Sequence, residues 1–267
     1  MAGDTRPIQA VILAAGKATR TEPLTAGKAK ALLPILEGNI LTTILDAAQP
    51  LIDEAIIVVG HLKEQIIAAM GDSYKGIRLR YVEQTEQLGT GHAVLCAEPF
   101  IRDRFIILTG DDIISPKDLS SLVKHRYACL AKEVDDPKRF GIFTVDADSN
   151  VTDIEEKPAK PKSNLANTAI WVMDKRLLAL MKTRGKTARG EYEITCALGE
   201  LIKTDKVFCQ KVEDYWIPIT YPWNLLEANV FFLRRIEESR IDGVVEPGAV
   251  IKGTVVIGKG TVIKSGT

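Results

Sequence analysis

Cysteine is scarce: there are four in 267 residues, none in a C-x-x-C spacing, which excludes a disulfide-stapled scaffold and a zinc ribbon. Cys96, Cys129, Cys196 and Cys209 are scattered, and each lies in an apolar stretch. They are expected to be reduced core thiols in a cytoplasmic protein. Histidine is rarer still, and His61, His92 and His125 are too dispersed in the chain to suggest a metal cluster. Net charge is also missing, because thirty-five basic residues balance thirty-five acidic ones. Without a global field, neither nucleic acid nor an anionic membrane is an expected partner, and any anion site must be local. No uncharged apolar stretch approaches the roughly 18 to 20 residues of a membrane span, and the N-terminal MAGDTRPIQ lacks the order of a secretory signal. The phosphate-binding signatures G-x-x-x-x-G-K-[ST] and G-x-G-x-x-G are absent too.

What remains is a composition with 46% hydrophobic and 26% charged residues, enough for a substantial core in one large or two small domains. Short β-rich runs at 10–14, 55–59, 79–82 and 105–109 are each followed by a helix-compatible segment. That alternation predicts an α/β sheet with right-handed crossovers. Ser115 and Pro116 mark the start of a helix in "SPKDLSSLVKHRYACL", directly after Asp111 and Asp112. Beyond residue 140, strands at 141–145 and 151–155 flank the turn-rich "DADSN", a strand follows at 169–173, and helices are expected at 174–182, 191–203 and 223–240. From Val245 the chain reads in sixes, VEPGAV, IKGTVV, IGKGTV, IKSGT, with an aliphatic residue at 245, 251, 257 and 263. A period of six predicts four partial repeats of a left-handed parallel β-helix, expected to continue in a longer protein.

The segment "LAAGKATRTEPLTAGKAKALLP", residues 13 to 34, leaves the first strand carrying one arginine and three lysines. Small residues there allow a ligand to approach backbone N–H groups at the carboxyl end of the sheet, and Arg20 with Lys30 add charge suited to a triphosphate.

This segment resembles the signature of the sugar-1-phosphate nucleotidylyltransferases, L-A-A-G-x-G-T-R-x-x-P-L-T followed by P-K-x-L-L-P. The resemblance continues in order through "QTEQLGTGHAV" at 84–94, "LTGDD" at 108–112, "FGI" at 140–142, "EEKP" at 155–158, "NTAI" at 167–170, "GEYEIT" at 190–195 and "YPWNLLEAN" at 221–229. It implies a Rossmann-like mixed α/β sheet flanked by helices, with a nucleotidylyltransferase domain over 1–240 and the start of a hexapeptide-repeat β-helix over 241–267. It also implies a reaction between a pyrimidine nucleoside triphosphate, UTP or dTTP, and glucose-1-phosphate or N-acetylglucosamine-1-phosphate. Mg²⁺ would be the cofactor, and a full-length β-helix could make the protein a homo-oligomer.

Carried over residue by residue, the resemblance gives Arg20 and Lys30 the catalytic roles, facing the triphosphate. Leu13, Ala14, Ala15, Gly16, Gln84, Gly89 and Thr90 would bind the nucleotide, with the Gln84 amide meeting the base. Gly141, Glu156, Lys157 and Asn167 would bind the sugar phosphate, and Asp111 the metal, while Asp112 is read as structural. Trp171, Trp216 and Trp223 are read as core or helix-anchoring residues rather than stacking platforms.

Three departures stand out. Ala18 replaces the usual second glycine, at about 1–2 kcal/mol if that position needs positive φ. Ala29 replaces the proline before Lys30, loosening that turn. In "WIPITYPWN", Pro218 stands for the aspartate that is the second metal ligand, Thr220 for a glycine and Asn224 for the final acid. Asn224, Asp112 or water would have to compensate. These losses leave an alternative open, a non-catalytic relative that binds nucleotide sugar as a regulatory subunit.

Overall fold

In β1 (Ile8–Ala14), Ala10 and Ile12 pack into one apolar cluster and Val11 into another, so the strand is covered on both faces. The computed structural model, which describes residues 7–187 and 190–267, builds the rest of the sheet around it. A two-residue hairpin, β2 (Pro34–Ile35) and β3 (Gly38–Asn39), leads into α1 (Ile40–Ala48), which Asn39 caps by accepting the Thr42 N–H at 2.9 Å. Then follow β4 (Ile52–Val59), α2 (Lys63–Met70), β5 (Ser73–Tyr74), β6 (Ile77–Glu83), α3 (Thr90–Ala97), β7 (Phe105–Thr109), β8 (Asp112–Ile114) and α4 (Pro116–Leu122). Strands β6, β4, β1 and β7 lie side by side and parallel, and the chain crosses back over β1 to place β7. The crevice at the carboxyl ends of β1 and β7 is therefore a topological switch point, where open α/β sheets bind ligands.

The second half is mainly antiparallel, with one strand that joins it in parallel at its edge. It runs through β9 (Ala128–Glu133), β10 (Gly141–Val145), β11 (Val151–Glu156), β12 (Leu165–Met173), α5 (Lys175–Arg184), α6 (Ile194–Leu201), β13 (Phe208–Lys211), β14 (Trp216–Pro218) and α7 (Pro222–Leu233). β12 joins the halves, its last residues paired with β7 and its first with β10. Its register with β9 slips between Asn167 and Trp171, where Ala169 takes the left-handed conformation (φ 59°). That bulge bends the strand beside the site described below.

The structure corrects three boundaries. The helix expected after Ser115 stops at Leu122, and Ala128–Glu133 is a strand paired with β12 and β13. The helix expected to reach residue 240 ends at Leu233, and the one expected from 191 begins at Ile194. Two further expectations change with packing. Cys129 and Cys209 are buried, but Cys96 and Cys196 are half-buried. Trp171 is core, whereas Trp223 is 58% exposed and stacks on Tyr221, with centroids 4.6 Å apart.

In the tail, β15 (Arg240–Ile241) pairs in parallel with β17 (Val256–Ile257), and β16 (Val244–Val245) with β18 (Val262–Ile263). Val244 meets Val262, so one coil takes three hexapeptides and four hexapeptide lines make little more than a single coil. Arg240 ties this segment to the globular part through both carboxylate oxygens of Glu37, at 2.5 Å each.

Candidate active site

Backbone contact sets the floor of the site. The Gly110 N–H donates to the Leu13 carbonyl at 2.8 Å, and a Cβ on Gly110 would lie 2.8 Å from that oxygen and 2.9 Å from the Ala14 methyl. Only glycine lets the loop after β7 come this close to the loop after β1. Asp111 therefore emerges opposite the segment carrying Lys30, and the two side chains form an ion pair at 2.5 Å. Lys30 is 12% and Asp111 37% exposed, so the carboxylate faces the cleft while the ammonium is sheltered.

The Lys30 turn is held from outside. The Gln65 side chain accepts the Ala29 N–H at 2.9 Å and donates to the Gly27 carbonyl at 3.0 Å. A proline at 29 would have no N–H to give, so Gln65 replaces by hydrogen bonding the rigidity that Ala29 lacks. Ala18 has φ 56°, in the left-handed region, so the alanine stands where glycine would be unstrained. The Thr25 hydroxyl pins it by donating to its carbonyl at 2.9 Å.

Leu13, Ala14, Gly16, Arg20, Lys30 and Asp111 line an inner cleft of about 200 Å³. Ala15 does not join them: it is buried, and its carbonyl accepts from the His61 N–H at 3.3 Å and the Gln87 amide at 3.0 Å. Gln84 is also withdrawn, only 5% exposed, its amide nitrogen donating to the Gly89 carbonyl at 3.1 Å and lying 3.2 Å from His92 Nδ1. That geometry leaves the amide oxygen of Gln84 as its free acceptor.

A larger cleft of about 630 Å³ continues from the first, and Arg20, Asp111 and Thr220 line both. Gly89, Thr90, Gly141, Glu156, Lys157 and Asn167 all reach it. Three of them meet through sheet register. Gly141 sits opposite Glu156, and a Cβ there would touch the Glu156 carboxylate at 3.0 Å and Asn167 at 3.6 Å. Asn167 accepts the Ala169 N–H at 2.9 Å, leaving its amide nitrogen to donate into the cleft.

Gly89, at φ 91°, and Gly91 are needed because the Tyr192 carbonyl would lie 2.8 Å and 2.6 Å from a Cβ at each. Lys157 keeps a left-handed backbone at φ 45°, its N–H donating to the Phe140 carbonyl at 3.0 Å. Strain of this kind persists only where surrounding structure fixes it, and it clusters at functional sites.

Among the departures, β14 pairs antiparallel with β8 so that Pro218 lies directly across from Asp112. Burial, then the neighbouring Asp111 charge, push the Asp112 carboxyl up to about 7, against the opposing pull of Thr109, Trp216 and Lys30. Asn224 is not a spare ligand, since its oxygen accepts the Thr220 and Tyr221 N–H groups at 3.2 and 2.9 Å. Among the described residues no three His, Cys, Asp or Glu side chains are grouped to enclose a metal ion. Mg²⁺ is commonly held by one or two carboxylates together with substrate phosphates. Asp111, free toward the cleft on one side, fits that pattern and does not fit a metal held by the protein alone.

Sequence reasoning missed His61, Arg139, Thr220, Glu191 and Glu193 as cleft residues. Glu191 and Glu193 carried a usable signal, standing inside the quoted "GEYEIT".

The sequence profile of the nucleotidyl transferase family matches residues 9–235. The chain belongs to this nucleotidyl transferase family. Its curated relatives include the bifunctional protein GlmU of Methanocaldococcus jannaschii, 38% identical over 256 residues, which cover 96% of this chain and 61% of that protein. The chain thus spans about three fifths of the length of the GlmU relatives. The UTP–glucose-1-phosphate uridylyltransferase AglF of Haloferax volcanii is 33% identical over 83% of this chain and 95% of its own length. Among solved structures, a Bacillus anthracis protein assigned as a glucose-1-phosphate thymidylyltransferase, in complex with sucrose, superposes with TM-score 0.73 at 27% identity, covering 84% of this chain and 94% of that one. A UDP-glucose pyrophosphorylase solved with UDP-glucose gives TM-score 0.77 at 21% identity over 86% of this chain and all of that one, a likeness of fold. Family membership and the mixed α/β sheet expected from the motifs both hold for this nucleotidyl transferase. No described helix is long and apolar enough to cross a membrane.

Proposed function

We propose that this nucleotidyl transferase joins UTP or dTTP to glucose-1-phosphate or N-acetylglucosamine-1-phosphate, releasing pyrophosphate. One observation carries the reading: Arg20 and Asp111 face the same two connected clefts, one beside the β1 loop and one beside Gly141, Glu156 and Asn167.

A phosphate oxygen of the sugar-1-phosphate attacks the α-phosphorus, a new P–O bond forms, and the bond to the β-phosphate oxygen breaks. Both reactants are anions, so holding them in line and cancelling their repulsion supplies most of the rate. In this reading Leu13, Ala14 and Gly16 present backbone to the triphosphate, Arg20 stabilises charge developing at phosphorus, and Lys30 exchanges Asp111 for a phosphate oxygen when substrate arrives. Gly89 and Thr90 meet the base, with the Gln84 oxygen accepting from its imide N–H. Glu156 and Asn167 accept from and donate to sugar hydroxyls, and Lys157 meets the sugar phosphate. Asp111 would hold Mg²⁺, which when bound neutralises phosphate charge. Residues 241–267 are read as the opening of a β-helix, supported by the parallel pairs of the tail.

Pro218 in place of the second metal carboxylate favours a second reading, a regulatory subunit that binds nucleotide sugar without turnover. Pyrophosphate release with Mg²⁺, assayed for each triphosphate and sugar phosphate pair, separates the two. Release with a pyrimidine triphosphate supports the enzyme, while UDP-sugar binding without release in any pair supports the subunit.

A further inference from the structure

The mouth of the larger cleft opens into a cavity of about 820 Å³ whose charged lining is entirely cationic: Arg20, Arg139 and Lys157, with no carboxylate. Arg139 lies in a polar stretch, DDPKRFG, that carries no periodic signal. The fold gives it a place. The Lys157 N–H bonded to the Phe140 carbonyl extends the β10–β11 ladder by one step at the open end of the hairpin, away from its 146–150 turn, so Arg139 and Lys157 stand on neighbouring strand ends. Among the described residues Arg139 has no ion pair or side-chain hydrogen bond, and Lys157 has only a loose contact with Glu156 at 3.9 Å. Three cations line one cavity, with Glu156 only loosely beside one of them, so they repel each other, and an anion between them relieves that repulsion.

Which anion follows from where each cation reaches. Arg20 lines the inner cleft, the larger cleft and the mouth, whereas Arg139 and Lys157 line the larger cleft and the mouth only. The inner cleft already has Lys30. We propose that Arg139 binds the phosphate of the incoming sugar-1-phosphate, with Lys157 on its other side, and hands it to Arg20 at the point of attack. A guanidinium suits this task because it offers paired N–H donors to phosphate oxygens without changing its charge. This deepens the function proposed above and rests on it for the identity of the phosphate ester.

The test compares Arg139→Gln and Arg139→Lys with the parent. Arg139→Gln is expected to raise KM for glucose-1-phosphate or N-acetylglucosamine-1-phosphate about 10- to 100-fold, the range for a lost charged hydrogen bond. KM for UTP should stay within about twofold. Arg139→Lys should recover part of the loss, and melting temperatures should coincide, since Arg139 is exposed. Direct titration of each protein with the sugar phosphate alone should show the same weakening. An unchanged sugar-phosphate KM, a rise confined to UTP or to pyrophosphate in the reverse reaction, or a parent that binds no sugar phosphate would each overturn the assignment. A parent that binds sugar phosphate through Arg139 yet releases no pyrophosphate with any triphosphate leaves it standing and removes the enzymatic reading.

Discussion

The two halves of the cleft are built differently. On the parallel side the polar groups are already engaged: Lys30 with Asp111, Gln84 with Gly89, the Ala15 carbonyl with His61 and Gln87. On the antiparallel side the cleft is wider, its strand is bulged at Ala169, and among the described residues Arg139 has no ion pair or side-chain hydrogen bond. On the proposed function, the tight, pre-paired half would take the triphosphate, whose geometry is invariant. The looser half would take the sugar, whose hydroxyls and N-acetyl group vary.

The sharpest way to break this contrast is Arg20→Ala, because Arg20 belongs to both halves. Turnover should fall roughly 10²- to 10³-fold with the melting temperature unchanged, as for loss of one transition-state donor; activity within a few-fold of the parent would remove the bridging role. Asp111→Asn, on the parallel side, should cost roughly 10²-fold, and the Mg²⁺ concentration giving half-maximal rate should rise. An unmoved Mg²⁺ dependence would take Asp111 out of metal binding. On the antiparallel side Glu156→Gln should act on one substrate alone, raising sugar-phosphate KM about tenfold and leaving UTP untouched. Equal changes in both constants would mean the halves are not separable. The smallest effect belongs to Ala18→Gly: relief of left-handed strain, about 1–2 kcal/mol, is largely offset by about 0.5–1 kcal/mol of added freedom in the unfolded chain. A melting temperature raised by up to about 4 °C is expected; a drop would show that the methyl packs usefully.

Legibility in the sequence divides along the same line. The parallel strands are readable because each is a continuous apolar run buried on both faces, as Phe105 to Leu108 show. β9 is hidden because Ala128 to Ala131 are also buried throughout, and such a run extends a preceding helical pattern without contradiction. At the site, Lys30, Arg20 and Asp111 are visible because each stands inside a motif that resembles the family's and follows a readable strand. Ala15 is held out of the cleft by hydrogen bonds from His61 and Gln87, which no local pattern links to it, and Gln84 by the bond it donates to Gly89 within its own motif. Arg139 is invisible because only the pairing of Lys157 with Phe140, at the open end of the β10–β11 hairpin, places it beside Lys157 at the cavity that Arg20 also lines. The hexapeptide period is right in register and misleading in scale, because three sixes close one coil.

The glycine at 110 reaches beyond its own contact. Two main chains joined by a direct hydrogen bond leave no room for a side chain at this position. On the proposed function, the gap between the triphosphate and the acid beside it would be a constant of the backbone. Adaptation to a new sugar would then fall to the opposite wall.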